Sequence, residues 1–137
     1  DVSNMEALNF VDLSSNMFEG NIPEGFFDLP NLEILYLSNN TLDGSIPDNI
    51  NKAKKLRDLY LDGNMLSGTI PSIPAGTLSD LEEFLVNRNE LTGRMPDSIC
   101  ALRNISSTPG NLVSLHADCA VPPDPPKIFC NCCTKCT

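Results

Sequence analysis

The sequence predicts a solenoid of the α/β type, in which each copy supplies one short strand and one return segment. Leucine-initiated copies recur at intervals of 24, 24 and 25 residues, starting at Leu8, Leu32, Leu56 and Leu81. In each copy an asparagine, a glycine and a hydrophobic residue followed by proline stand in phase with the leucines. Self-similarity at this period is typical of stacked strand-and-return units.

The second copy, residues 32–47, shows the task of each position. Leu35 and Leu37 alternate along a short strand and therefore share its inward face. Asn40 follows the strand, where an amide can satisfy backbone groups of adjacent coils that would otherwise be buried without a partner. Gly44 permits a positive φ or a close backbone approach, and Pro47 fixes φ and withholds a donor.

The remaining copies repeat this plan with substitutions, and they define the organisation of the chain. Residues 1–103 are predicted to hold the four copies, and residues 104–137 to hold a last strand and a cap rich in cysteine and proline, all in one structural domain. The last strand is expected at Leu112, Leu115 and Ala117. The proline run over residues 122–126 is expected to end regular structure.

The pattern LxxLxLxxNxLxGxIP, present at residues 32–47 and 56–71 and with substitutions at 8–23 and 81–96, resembles plant-type extracellular leucine-rich repeats. The resemblance covers roughly residues 5–103. The tail, with its proline run and the segment CNCCTKC, resembles the C-terminal caps of leucine-rich repeat proteins from diatoms and related algae. The resemblance implies a right-handed coil, a sheet of short parallel strands on the concave face, irregular or 3₁₀ segments on the convex side, and ligand recognition by the concave or lateral surface.

The six cysteines all lie in the last part of the chain, and in an extracellular setting they indicate three disulfides that hold a cap. Of 15 pairings we exclude those joining Cys132 to Cys133, since adjacent Cα atoms are only about 3.8 Å apart. We expect Cys100 and Cys119 each to hold one tail cysteine, with the remaining two joined to each other. A thiolate metal site is the alternative, and we expect none. The predicted disulfide cysteines are Cys100, Cys119, Cys130, Cys132, Cys133 and Cys136.

Charge and motifs exclude several functions. The net charge of −9 argues against binding nucleic acid, and the basic cluster at residues 52–57 is expected to be a solvated convex surface. No apolar run reaches the length of about 20 residues that a membrane span needs, so we expect no membrane insertion. His116 and Asp118 lack a nucleophile placed with them by any motif. We therefore expect no enzymatic activity and no cofactor.

Function is expected in the strand residues that point away from the core, because these stack into columns from coil to coil. Tyrosines and aliphatic side chains bordered by carboxylates suit a protein, a peptide or a stacked glycan. We therefore predict a secreted or cell-surface recognition module, a receptor-like, adhesion or inhibitor ectodomain. The predicted contact residues are Ile34, Tyr36, Asp58, Tyr60, Asp62, Glu83, Leu85, Asn87 and His116.

Other readings of the same sequence stay open. Few residues precede the first copy, so we expect either that the chain is a fragment of a longer protein or that its open N-terminal edge, with Phe10 and Val11, pairs with another molecule. A structural or matrix protein that self-associates there, or that binds cations or mineral, is the alternative function. Asn39 and Asn104 begin N-glycosylation sequons.

Overall fold

The main sheet of the molecule contains six short strands, one from each coil and one from the tail. The structure, a computed structural model, describes residues 5–103, 111–119 and 127–137. All pairs in the sheet are parallel, so each strand is followed by a return segment and the chain winds as a solenoid. In spatial order the strands are β1 (Phe10–Asp12), β3 (Ile34–Tyr36), β5 (Asp58–Tyr60), β7 (Glu83–Leu85), β10 (Ser114–Ala117) and β12 (Lys135–Cys136).

The return side of the coils carries short strands and single helical turns. Three parallel pairs join β2 (Glu19–Asn21) to β4 (Thr41–Asp43), β6 (Ser67–Gly68) to β8 (Glu90–Leu91), and β9 (Gly93–Arg94) to β11 (Ile128–Phe129). Two 3₁₀ turns, Glu24–Phe26 and Asp48–Lys52, and the short helix α1 (Asp97–Cys100) each follow a proline whose φ is near −60°. The predicted solenoid, with 3₁₀ or irregular segments opposite the sheet, is confirmed.

Leucines fill the space between the two sides. Leu35, Leu59, Phe84 and Leu115 are register partners at the centre of successive strands, and all four side chains are completely buried. Burying one such side chain is worth roughly 1.5–3 kcal/mol, so the four stacked side chains together contribute roughly 6–12 kcal/mol.

Buried asparagines connect the coils just after the strands. The Nδ2 group of Asn64 donates to the carbonyls of Leu37 and Leu61 at 3.0 Å each, and its Oδ1 accepts from the backbone N–H of Leu42 at 3.1 Å. Asn40 makes the equivalent bonds to its own coil and to the preceding one. The predicted role of Asn40 is therefore confirmed, because these bonds satisfy backbone groups that water does not reach.

Each of the four coils has a glycine with a positive φ at the repeat position of Gly44. Gly44 has a φ of +70°, and a Cβ added to it would lie 2.7 Å from Oδ1 of Asn21. Both predicted reasons for a glycine here, positive φ and close approach, are thus present. Three non-glycine residues, Ser15, Asn39 and Arg88, adopt positive φ at the repeat position that Gly63 occupies in the third coil.

The tail differs from the sequence prediction, which ended regular structure at the proline run. Beyond it, β11 pairs with β9 and β12 pairs with β10, so the tail adds strands to both sides of the solenoid. The physical reason is that cross-links hold the tail against the last coil. The disulfides are Cys100–Cys132, Cys119–Cys136 and Cys130–Cys133.

This pairing is the arrangement expected from the sequence. Cys100 and Cys119 each hold one tail cysteine, and Cys132 and Cys133 belong to different disulfides. The sulfurs of Cys119, Cys130 and Cys133 lie within 4.8 Å of one another, but each is bonded in a disulfide. Thiolate ligation of a metal by these cysteines would first require reduction.

Candidate functional site

The candidate site is the strand face, by which we mean the outward side chains of β1, β3, β5, β7 and β10. The observed register forms two columns of such side chains, which agree with the repeat period. Since side chains two apart on a strand share a face, both columns lie on one surface. The first column is Phe10, Ile34, Asp58, Glu83 and Ser114, and the second is Asp12, Tyr36, Tyr60, Leu85 and His116.

Three aromatic rings form a continuous run across the first three strands of this face. Tyr36 and Tyr60 stack with ring centroids 4.2 Å apart and an interplanar angle of 18°. Phe10 meets Tyr36 at 6.0 Å and 78°, in an edge-to-face arrangement. Such pairs contribute about 0.5–1.5 kcal/mol each beyond their buried area. The run is therefore a pre-ordered apolar surface.

Two carboxylates lie beside the aromatic run. Asp58 and Glu83 are register partners on adjacent strands, and both are half-buried. The hydroxyl of Tyr60 donates a hydrogen bond to Oε2 of Glu83. Burial raises the pKa of Asp58, the negative charge of Glu83 raises it further, and Arg57 partly opposes the shift.

The tyrosine hydroxyls are also held in their neutral form. Burial raises the pKa of Tyr60, and the hydrogen bond to Glu83 raises it further. Burial likewise raises the pKa of Tyr36, with the nearby Asp58 adding to the effect. The single O–H of Tyr60 is already donated to Glu83, so this phenol offers a ligand its oxygen as an acceptor.

The two carboxylates beside the aromatic run differ from Asp62, at the side of the same face, in their charge partners. Within the described ranges, the ion pairs are Lys52–Asp28, Arg57–Glu82 and Arg88–Asp62. The carboxylates of Asp58 and Glu83 enter none of them. Arg57 offsets part of the charge at Asp58, and the strand face keeps a negative potential beside the aromatic run.

A network of hydrogen bonds and one ion pair, which we call the Asp62 network, lies at one side of this face. Oδ1 of Asp62 accepts a hydrogen bond from Oγ of Ser38 at 2.5 Å, and its Oδ2 lies 2.6 Å from Nη2 of Arg88. The same nitrogen donates to Oδ1 of Asn39 at 3.2 Å. Asp62 was predicted as a contact residue, and here its carboxylate is already neutralised by Arg88.

Asn87 is the one predicted contact residue that is buried. Its side chain was expected on the accessible surface, but it is only 8% exposed. Its backbone carbonyl accepts from the N–H of Gly63, so this position is enclosed between adjacent coils. We therefore leave Asn87 out of the contact surface that we propose.

The C-terminal side of the strand face is bordered by the positively charged Lys135. His116 lies between Leu85 and Lys135, its register partners on β7 and β12. Sequence reasoning missed Lys135, because nothing in the repeat pattern places the tail beside β10. Asp118, considered beside His116, accepts from the backbone N–H groups of Arg88 and Asn89 at 2.7 and 2.9 Å. Its carboxylate thus caps the preceding coil.

The described residues include the first of the two N-glycosylation sequons. Asn39 is exposed beside the Asp62 network, whereas Asn104 lies outside the described residues. Among the helices of the described ranges, none is long and apolar enough to cross a membrane.

Comparisons with known proteins agree with this geometry. A leucine-rich repeat family profile matches residues 6–66. The ectodomain of BIR2 from Arabidopsis thaliana is 39% identical, with a TM-score of 0.64, over 71% of this chain and 50% of that chain. The fold is a leucine-rich repeat solenoid.

Two solved complexes show the same likeness. The Arabidopsis receptor kinase HAESA, in complex with the peptide hormone IDA and the co-receptor SERK1, is 27% identical with a TM-score of 0.69, over 85% of this chain and 17% of that chain. A chain of the BIR3–SERK2 complex from Arabidopsis thaliana is 31% identical with a TM-score of 0.63, over 79% of this chain and 54% of that chain. This leucine-rich repeat chain thus spans only part of the length of each neighbour. No curated protein sequence matches it significantly.

Proposed function

We propose that this chain is part of a receptor-like, extracellular leucine-rich repeat ectodomain, without catalytic activity, whose strand face binds a peptide or an extended segment of a protein. The observation that carries this proposal is the ordered aromatic run of Phe10, Tyr36 and Tyr60 beside two carboxylates that form no ion pair among the described residues. Three disulfides support an oxidising, extracellular setting. The HAESA structure, solved with a peptide hormone, supports the ligand class.

The dimensions of the aromatic run suit a peptide. Three neighbouring strands about 4.8 Å apart span roughly 10 Å, which is the length of about three extended residues. Aromatic anchors that are already ordered lose little conformational entropy on binding. A peptide crossing the strands would therefore meet Phe10, Tyr36 and Tyr60 in succession.

The stacking favours a peptide over a glycan. A sugar packs against the open face of an aromatic ring, but one face of Tyr36 is covered by Tyr60 on β5. Phe10, on β1 at the other side of β3, contacts Tyr36 as well. What the tyrosines offer is their edges and hydroxyl groups. These groups match the side chains and amides of a peptide.

Charge sets the expected composition of the ligand. A lysine or arginine placed beside the aromatic run would neutralise Asp58 and Glu83 and lie close to aromatic rings, which also attract cations. An acidic group on the ligand would instead favour the side that holds His116 and Lys135. We therefore propose a peptide whose basic residue lies toward β5 and β7.

Selection from a random peptide library on the purified 137-residue chain tests this proposal. We expect enrichment of peptides that combine lysine or arginine with an apolar residue, and tenfold or greater loss of binding when that basic residue is replaced by glutamine. The variant Asp58→Asn, Glu83→Gln should lose the same discrimination. Enrichment of acidic peptides, or binding indifferent to both changes, would contradict the proposed ligand class.

A second candidate function, self-association, rests on the N-terminal edge. In the described part of the chain no strand pairs with the outer side of β1, and Phe10 is 50% exposed there. The first coil also borders a cleft of 210 Å³, lined in part by Leu13, Phe18 and Phe26. Unpaired strand edges beside apolar surface favour association. Light scattering with and without calcium tests this candidate, and a monomer under both conditions would count against it.

A further inference from the structure

The sequon that begins at Asn39 lies at an exposed bend of the second coil. Asn39 follows β3 and has a φ of +56°, a conformation that asparagine tolerates better than most residues. Thr41, the hydroxyl residue of the sequon, is exposed at the start of β4, and its Oγ1 donates to the carbonyl of Phe18 at 3.0 Å. Both chemically required side chains are therefore on the surface.

The contact with Arg88 fixes the orientation of the Asn39 amide. A guanidinium group has only donors, so the 3.2 Å contact from its Nη2 must be to Oδ1 of Asn39. In the described ranges no hydrogen bond engages Nδ2 of Asn39. Gly63 makes this reach feasible, because a Cβ at that position would lie 2.7 Å from Oδ1 of Asn39 and 3.2 Å from the Arg88 guanidinium.

The neighbouring asparagine shows the contrast. Nδ2 of Asn40 donates to the carbonyls of Leu13 and Leu37, and the side chain is buried. Attachment of a sugar to Asn40 would destroy the connection between coils. Attachment to Nδ2 of Asn39 would break no hydrogen bond among the residues that the structure describes.

We propose that Asn39 is a site of N-linked glycosylation. In the transfer, Nδ2 bonds to the anomeric carbon of a lipid-diphosphate-linked oligosaccharide from the secretory pathway, the bond from that carbon to the diphosphate breaks, the lipid diphosphate leaves, and the nitrogen loses one proton. The linkage keeps the Oδ1 carbonyl, so the hydrogen bond from Arg88 persists in the glycoprotein. The glycan then stands next to the Asp62 network and leaves the aromatic side of the strand face open.

The site can be read directly from secreted protein. The chain is expressed with a signal peptide in a eukaryotic host, and the glycan is removed by a peptide N-glycosidase in heavy-oxygen water, which converts each glycosylated asparagine to labelled aspartate. We expect labelled aspartate at position 39 and the loss of one glycan mass. An unlabelled Asn39 in folded, secreted protein would overturn the proposal.

Matched variants separate the sequon from folding defects. Thr41→Ser keeps both the sequon and a hydroxyl, and should retain the label, whereas Thr41→Val should abolish it at similar shape. If Thr41→Val is not secreted, Asn39→Asp provides the same loss at a residue type that tolerates positive φ. Asn104→Gln should leave the label at position 39 unchanged, and loss of that label on Asn104→Gln would contradict the assignment. Peptide binding does not enter this readout, so its failure and that of the proposed function are independent.

Discussion

Tyr36 and Tyr60 are register partners on adjacent strands, and their rings stack at 4.2 Å with an angle of 18° between their planes. They are the two tyrosines of a chain that contains no tryptophan. Tyrosine absorbance and fluorescence therefore report on the strand face itself. A solution measurement of either signal observes the candidate site without any added label.

Tyr36 and Tyr60 should lose their protons at higher pH than ordinary tyrosines do. Burial raises both pKa values, with Glu83 contributing at Tyr60 and Asp58 at Tyr36. A raised folded-state pKa means that the neutral phenols stabilise the fold below the ordinary value of 10.0, and that this stability is lost as pH rises above it. Tyrosinate absorbance should show both midpoints above 10.0 in the folded chain. Ordinary titration of folded Tyr60→Phe, in which only Tyr36 remains, would contradict the buried stack.

Asp58 should make the protein less stable at neutral pH. Its pKa is raised by burial and by Glu83, so the folded state prefers the protonated carboxyl. The unfavourable contribution is absent below the ordinary value of 3.8 and grows as pH rises through the raised value. Asp58→Asn should therefore raise the urea midpoint at pH near 7 but not in acid, while the exposed Asp43→Asn should change little at either pH.

Replacement of a buried asparagine should lower the free energy of unfolding more when its side chain makes more hydrogen bonds. Asn64→Ala leaves the N–H of Leu42 and the carbonyls of Leu37 and Leu61 without their partner. We expect it to lower the free energy of unfolding by about 2–4 kcal/mol, as buried unsatisfied groups do. The matched control is Asn16→Ala, since Asn16 is exposed and its Nδ2 donates hydrogen bonds to carbonyls of its own coil. Equal effects in urea unfolding would refute the coil-connecting role.

The disulfides should differ in their contribution to stability. Cys100 and Cys132 are 32 residues apart, whereas Cys130 and Cys133 are 3 apart. From loop closure alone we expect removal of the first pair to cost about 3–4 kcal/mol and removal of the second about 1.5–2 kcal/mol. Thermal unfolding of the two double alanine variants measures the difference. The opposite order would mean that local packing of the cap, and not chain entropy, sets its stability.

The repeat made much of the fold predictable from the sequence. Its period fixes which residues are register partners, so the stacking of Tyr36 over Tyr60 follows from an interval of 24 residues and the alternation within a strand. The asparagine positions were predictable for the same reason. Both features depend only on residues that recur.

Features outside the repeat were not predictable in the same way. Lys135 reaches the strand face because disulfides hold the tail beside β10, and no periodic pattern encodes that pairing. The bridge from Arg88 to Asp62 depends on the absence of a side chain at Gly63. Asn87 is buried because adjacent coils enclose it, a degree of burial that strand alternation does not predict.

The most direct test of the proposed function compares two ways of removing aromatic side chains from the surface. A basic peptide selected on the native chain is titrated calorimetrically against Tyr36→Ala, Tyr60→Ala and against Phe129→Ala, whose ring is 57% exposed on the side strand β11. If the strand face is the binding surface, the first variant weakens binding at least tenfold and the second leaves it unchanged, with both variants folded by circular dichroism. Equal affinity of the native chain and the tyrosine variant would contradict the account.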